Sequence, residues 1–271
     1  MPIHDSPTGK IWQRRDRRSQ LVRWAAWLLG TAIFLYSWQQ ISDATTWFFV
    51  QDAPRIAADI ASRTWPPNWS YMDKLWLPVW DTLNIATLGT LLALLAAVPI
   101  AFLAARNTTP STYFIRPIAL FIIVSSRSIN SLIWALLLVA IIGPGVFAGM
   151  IAIAIRSIGF CAKLLYEAIE EIDQSQVEAI TATGASRWQV MVYGIVPQIL
   201  PAFAGISVFR WDINIRESTV LGLVGAGGIG LQLQSSLNVL AWSQVLVILI
   251  VIFAAVVVGE WVSAKVRGAI I

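Results

Sequence analysis

Ionisable side chains are scarce in this chain. Asp, Glu, Lys and Arg make up 13% of its 271 residues, about half of the ~25% usual in soluble domains. It has one histidine, His4, which excludes a histidine-based metal site and a serine–histidine–aspartate triad. It has one cysteine, Cys161, in an apolar stretch. An intrachain disulfide is therefore excluded, and a small buried residue is the plain reading. There is no Walker A sequence, because Gly9-Lys10 lacks the glycine five positions earlier; the chain does not bind ATP by that route. Neither a nucleophile–base pair nor a metal cluster is visible, so no catalytic or metal-ligating residue is assigned. No repeat at solenoid periods occurs.

What the chain has is apolar surface. It is 57% hydrophobic with 14 Trp, and its mean hydropathy is +0.70. A membrane span needs about 20 mostly apolar residues. Six such stretches occur, near 21–40, 82–105, 114–142, 147–168, 199–221 and 243–264. The third is long enough to tilt, or to bend near Arg127–Ser131. The expected fold is an all-α integral membrane protein with six transmembrane helices. Residues 1–20 are read as a loosely ordered tail, 21–40 as a leading helix, and 41–81 as an external segment. Residues 82–264 form a five-helix core, and 265–271 a second tail.

Positive residues set the orientation. Lys10, Arg14, Arg15, Arg17, Arg18 and Arg23 precede the first span, Arg106 and Arg116 flank the second loop, and Lys265 and Arg267 follow the last span. With six spans all of these fall on one side, and lysine and arginine mark the cytoplasm. Both termini are then cytoplasmic. The basic start is read as an uncleaved anchor, since no convincing cleavage site follows it.

Residues 178–201, EAITATGASRWQVMVYGIVPQILP, then also lie inside. Ser175 and Glu178 have capping-box spacing, Gly184 suits a left-handed helix end, and Ser186 and Gln189 repeat the box. Trp188, Met191, Val192 and Ile195 fall at i, i+3, i+4, i+7, which predicts an apolar stripe on a second short helix. Pro197 and Pro201 close the unit. The expectation is helix, glycine turn, helix over 175–195, with one face free to dock. Tethering between spans, with Arg187 as its only base, argues against nucleic-acid reading.

This segment resembles the cytoplasmic signature of ABC-importer permeases: EAA, three residues, G, nine residues, I, one residue, LP. Glu178, Ala179, Gly184 and Pro197 match in register. The third Ala is Ile180 here, the Ile is Gly194, and the Leu is Val196. The resemblance implies a coupling helix seated in the ATP-hydrolysing subunit, with Glu178, Ala179, Gly184, Ala185, Trp188 and Pro197 at the docking surface.

Charges inside the spans form the second candidate site, because intramembrane ionisable residues are costly. These are Arg127, Arg156, Arg210, Asp212, Arg216 and Glu217. Four arginines against two carboxylates leave two positive charges per chain. Guanidinium groups are well shaped for phosphate-like oxygens. The alternative is internal pairing: Asp212 with Arg216 at i, i+4, and Glu217 with Arg127 or Arg156 across helices. Asn84, Asn130 and Asn214 fit interhelical hydrogen bonds. Gly225-x-Gly227-x-x-Gly230 matches a dinucleotide fingerprint literally, but no βαβ strand precedes it and the next acid is Glu260. Gly225, Gly227, Gly228 and Gly230 are read instead as a turn at the outer end of a span and a candidate outer gate.

The run Arg210–Arg216 into Ser218-Thr219-Val220, then Gly225–Gly230, looks like the permease of phosphonate ABC importers and the related phosphite importers. Arg127-Ser128-Ile129-Asn130 and Lys163-Leu164-Leu165-x-Glu167-Ala168 look like the same family, and the likeness runs from about residue 20 onward. It implies import of a phosphonate-like anion across a bacterial inner membrane, with phosphite, hypophosphite or phosphate as alternatives. It further implies a homodimer in membrane lipid, two ATPase subunits that hold ATP and Mg, and an external binding protein. The rival from another class is an ATP-independent channel or ion-coupled transporter.

Overall fold

The computed structural model describes residues 3–6, 9–12 and 17–270. Arg14 and Arg15, part of the basic run, lie outside them. The chain forms two units, one ending at Ser62 and one spanning Arg63–Ile271. The first unit opens with a hairpin of β1 (Ile3–Ser6) and β2 (Gly9–Trp12), paired antiparallel with Ile3 opposite Trp12. The tail expected over 1–20 therefore contains regular structure. The leading helix is longer than its apolar run, with α1 covering Arg17–Ala44. Trp24, Trp27 and Phe34 are among its exposed side chains. The external segment expected at 41–81 is also largely helical: α2 runs Trp47–Thr64 with Pro54 inside it. A 3₁₀ turn, Trp69–Lys74, follows.

The second unit holds the remaining spans. These are α3 (Trp76–Ala104), α4 (Ile115–Ser128), α5 (Ser131–Ile142) and α6 (Val146–Glu170). After them come α7 (Gln174–Ala182), α8 (Arg187–Val190), α9 (Val196–Leu221), α10 (Ile229–Asn238) and α11 (Trp242–Ile270). Among the described residues, five helical stretches are long and apolar enough to cross a membrane, and α4 with α5 brings the number to six. Helices suit these sequences because lipid offers the backbone no hydrogen-bond partners.

The third span does bend, by 86°. Ile129 turns extended, and the Asn130 side chain accepts from the Leu132 amide at 3.1 Å to start α5. Asn130 is thus a local cap rather than an interhelical link. The second tail is absent as such, since α11 carries Lys265 and Arg267 in its last turns.

The centre of the unit is α6, packed on α3, α4, α5 and α9. Small side chains let the backbones approach. At Gly159 an added Cβ would lie 2.5 Å from the Ile123 carbonyl oxygen of α4. The apolar core falls into two main clusters. One joins Ala97, Ala101, Ile123, Cys161, Leu165 and Ile199. The other joins Ile85, Ala135, Ala152, Ile153, Leu221 and Ala226. A polar layer lies between them along α3, α6 and α9.

Candidate functional site: an arginine layer and a surface helix pair

The polar layer is built from three helices. Arg210, Asp212 and Asn214 are buried on α9, Ser157 on α6, and Thr90 on α3. Asn214 Nδ2 donates to Thr90 Oγ1 at 2.7 Å, and Ser157 Oγ donates to Asn214 Oδ1 at 3.3 Å. Thr90 sends its own proton to the Ala86 carbonyl at 2.6 Å. Arg210 Nε donates to Ser157 Oγ at 2.8 Å, and its guanidinium stands 5.1 Å from the centre of the Phe160 ring. Burial of this charge is tolerable because hydroxyl, ring and carboxylate replace water around it. Asn214 therefore does join helices, as its place in a span implies.

Glu217 accepts from Arg210 Nη2 at 3.4 Å and lies 3.8 Å from Arg156 Nε. The expected cross-helix partner Arg156 is confirmed and Arg127 is not; the additional partner is Arg210, two turns back on the same helix. Asp212 and Arg216 pair at i, i+4 as their spacing predicts. Arg127 sits in the last turn of α4, is exposed, and has no hydrogen bond or ion pair among the described residues. The adjacent Ser126 donates to the Ile155 carbonyl and accepts from the Gly159 amide at 2.9 Å. Arg127 and Arg156 are thus each one residue from the α4–α6 contact.

Thr90, Ser157 and Phe160 were not singled out in the sequence. Ser157 had one signal, its place beside Arg156. Thr90 had none, because a lone threonine in an apolar helix usually bonds its own backbone, as Thr90 also does.

The surface segment differs in detail from its expected form. The cap of α7 is Asp173, whose carboxylate accepts from the Ser175 amide at 2.9 Å and the Ser175 hydroxyl at 2.7 Å. The Ser175–Glu178 box is therefore not formed; the helix starts one residue before Ser175. These two donors hold the Asp173 carboxyl below its ordinary pKa. Gly184 ends the first helix at φ +80°, with its amide donating to the Thr181 carbonyl at 3.0 Å. The Ser186–Gln189 box is formed: Ser186 N donates to Gln189 Oε1 at 2.8 Å and Gln189 N to Ser186 Oγ at 3.5 Å. Glu178, Ala179, Ala185 and Trp188 are on the surface, Ala185 partly covered and Trp188 75% exposed.

The second short helix does not end at Pro197. A π turn over Met191–Ile195 joins α8 to α9, and helix continues from Arg187 to Leu221. Pro197 occupies the first turn of α9, where its missing amide is least costly. The π turn also breaks the apolar stripe. Trp188 and Val192 face out, whereas Ile195 is buried with Ile199 and Leu165. Gln198 secures the joint, because its Oε1 accepts from Asp173 N at 3.0 Å and its Nε2 donates to the Gly194 carbonyl at 2.7 Å.

Two departures from the ABC-permease signature meet in space. A Cβ on Gly194 would lie 3.3 Å from Ile180 Cδ1 and 3.7 Å from Val177 Cα. Ile180 is large where the signature has Ala, and Gly194 is small where it has Ile. The volumes are exchanged across one contact between α7 and the π turn, which explains how both departures are accommodated.

The glycine run after α9 is closely packed. Gly225, Gly227 and Gly228 have φ of +87°, +80° and +73°, and residues 226–230 are buried. The Gly225 carbonyl accepts from the Gly145 amide at 3.0 Å, and Ile229 N donates to Thr82 Oγ1 at 2.8 Å.

Residues 97–267 match the family described as binding-protein-dependent transport system inner membrane component. The phosphite transport system permease protein PtxC of Stutzerimonas stutzeri is 36% identical over 240 residues, 89% of this chain and 86% of that protein. The phosphate-import permease protein PhnE of Mycolicibacterium smegmatis is 38% identical over 208 residues, 77% of this chain but 39% of that longer protein. Among solved structures, an inward-facing form of the MetNI methionine ABC transporter aligns with a TM-score of 0.66 at 20% identity. That alignment covers 75% of this chain and 99% of that chain.

Proposed function

The chain belongs to the binding-protein-dependent transport system inner membrane components, and from that premise we propose that it is the permease subunit of an ATP-driven importer of a phosphorus oxyanion. It is a transport subunit rather than an enzyme, and ATP hydrolysis belongs to a separate subunit. The observation that carries the substrate reading is the layer of Arg156, Arg210 and Glu217 inside the core. Together with Arg127, Arg216 and Asp212, it leaves two surplus positive charges per chain. Phosphonate, phosphite, hypophosphite and phosphate all present oxygens that a guanidinium fork can meet. The phosphite and phosphate permeases noted above support this class.

The working complex would hold two copies of this chain, two ATPase subunits with ATP and Mg, and an external binding protein. Both termini and the α7–α8 segment would face the cytoplasm. The partner ATPase would dock on Glu178, Ala179, Gly184, Ala185 and Trp188. Its closure would push on α8, and the continuous helix would carry that movement to the arginine layer. From Ile195 to Arg210 the path is roughly 22 Å at ~1.5 Å per residue. Gly225, Gly227, Gly228 and Gly230, packed against Gly145 and Thr82, would form part of the outer gate.

The test is purification of the tagged chain from its host followed by reconstitution. An ATPase and a binding protein should accompany it, and vesicles should accumulate labelled phosphite, phosphate or a phosphonate only with ATP. Uptake by the chain alone, without ATP, would instead identify a channel or ion-coupled carrier.

A further inference from the structure

Glu217 is shared by two guanidinium groups, and both contacts are loose. The distances of 3.4 and 3.8 Å exceed the ~2.7–2.9 Å of a tight charge-assisted hydrogen bond. The two guanidinium groups are held differently. Arg210 is 3% exposed at its side chain and fixed by Ser157 and Phe160. Arg156 and Glu217 are 30% and 19% exposed, so this edge of the layer is open. A carboxylate offering one oxygen to each of two guanidinium groups presents what a phosphorus oxyanion would present. Asp212 has no such arrangement, since it pairs with the exposed Arg216 one turn away.

We propose that Glu217 is a displaceable internal anion, neutralising Arg156 and Arg210 while the path is empty and exchanging with the translocated oxyanion as it passes. This rests on the phosphorus-oxyanion reading above. The physical need is twofold. One buried and one partly buried guanidinium group without an anion would be destabilised. Yet a site that bound the passing anion tightly would not release it. A tethered carboxylate meets both needs, because it fills the empty site and competes for the same donors when the anion must leave. Arg210 remains the fixed wall, and Arg156 with Glu217 forms the side that opens.

The experiment compares the purified permease–ATPase complex, wild type and Glu217→Gln, without binding protein. Retention of labelled phosphite is measured by equilibrium dialysis, and uptake is measured in vesicles with all partners. Glu217→Gln should retain about tenfold more phosphite than wild type and transport it more slowly, since the competitor is gone. The added retention should vanish in Arg156→Gln/Glu217→Gln. Equal retention by wild type and Glu217→Gln, at matched melting temperature, would overturn the proposal. If Glu217→Gln does not assemble, Arg156→Gln alone decides. It should lower uptake per ATP hydrolysed, and unchanged coupling would overturn the exchange. Failure of wild-type vesicles to take up any phosphorus oxyanion would instead overturn the substrate reading on which the inference rests.

Discussion

Hydrogen bonds around Arg210 join residues 53, 57 and 124 positions apart, whereas those that shape the Gly184–Gln189 turn join residues three apart. Both regions lie at or near one unbroken helical run, yet they are stabilised differently. In the layer, a polar group removed from water must find a partner on another helix. At the surface, each helix end satisfies itself with a neighbouring side chain, and Trp188 and Tyr193 remain exposed. A region built from local contacts keeps its form when the core shifts. A region built from long-range contacts changes whenever the helices move. That difference suits a docking element joined to a path that opens and closes.

The comparison can be broken most severely at Arg210. Replacing Arg210 with Ala removes a buried charge that Ser157, Phe160 and Glu217 surround. It should cost about 3–5 kcal/mol and abolish uptake, read by thermal unfolding in detergent and by vesicle transport. Lysine there should not restore transport, because it lacks the fork. Exchanged packing predicts the next largest effect. Gly194→Ile should destabilise the contact between α7 and the π turn by about 1–3 kcal/mol. Adding Ile180→Ala should recover most of that loss in a double-mutant cycle, and strict additivity would show that the two side chains do not meet.

A docking defect should come next in stability but first in coupling. At Gly184 no atom lies within 4 Å of an added Cβ, so Gly184→Arg mainly strains the left-handed backbone by roughly 1 kcal/mol. The permease should fold while uptake and binding-protein-stimulated ATP hydrolysis fail together. Normal coupling in that variant would remove the docking assignment. Ser186→Ala breaks the capping box and should cost about 1 kcal/mol, slowing transport partially.

The smallest expected effect is at Asp173, whose carboxyl is held below its ordinary range by Ser175. Because the folded pKa is depressed, its contribution is complete above the unfolded value, neutral pH included, and is lost as pH falls through the lowered value. ATPase coupling should therefore be flat across mild acidity. Asp173→Asn, which can still cap, should match wild type.

The sequence determined the membrane class, the six apolar runs, the Asp212–Arg216 pair, the Gly184 turn and the Ser186–Gln189 box. Each depends on period, length or spacing within a few residues, which a linear chain displays directly. Tertiary structure decided the rest. That Asp173 rather than Ser175 caps α7 depends on where the preceding helix stops. The π turn at Met191–Ile195 carries the helix through Pro197, although proline spacing implies an end there. The third span breaks because Asn130 starts a second helix, which turns away at 86°. Arg210, not Arg127, shares Glu217 because α6 brings Arg156 and Ser157 against α9. Desolvation makes such pairing necessary, but only the packing of helices far apart in sequence selects the partner.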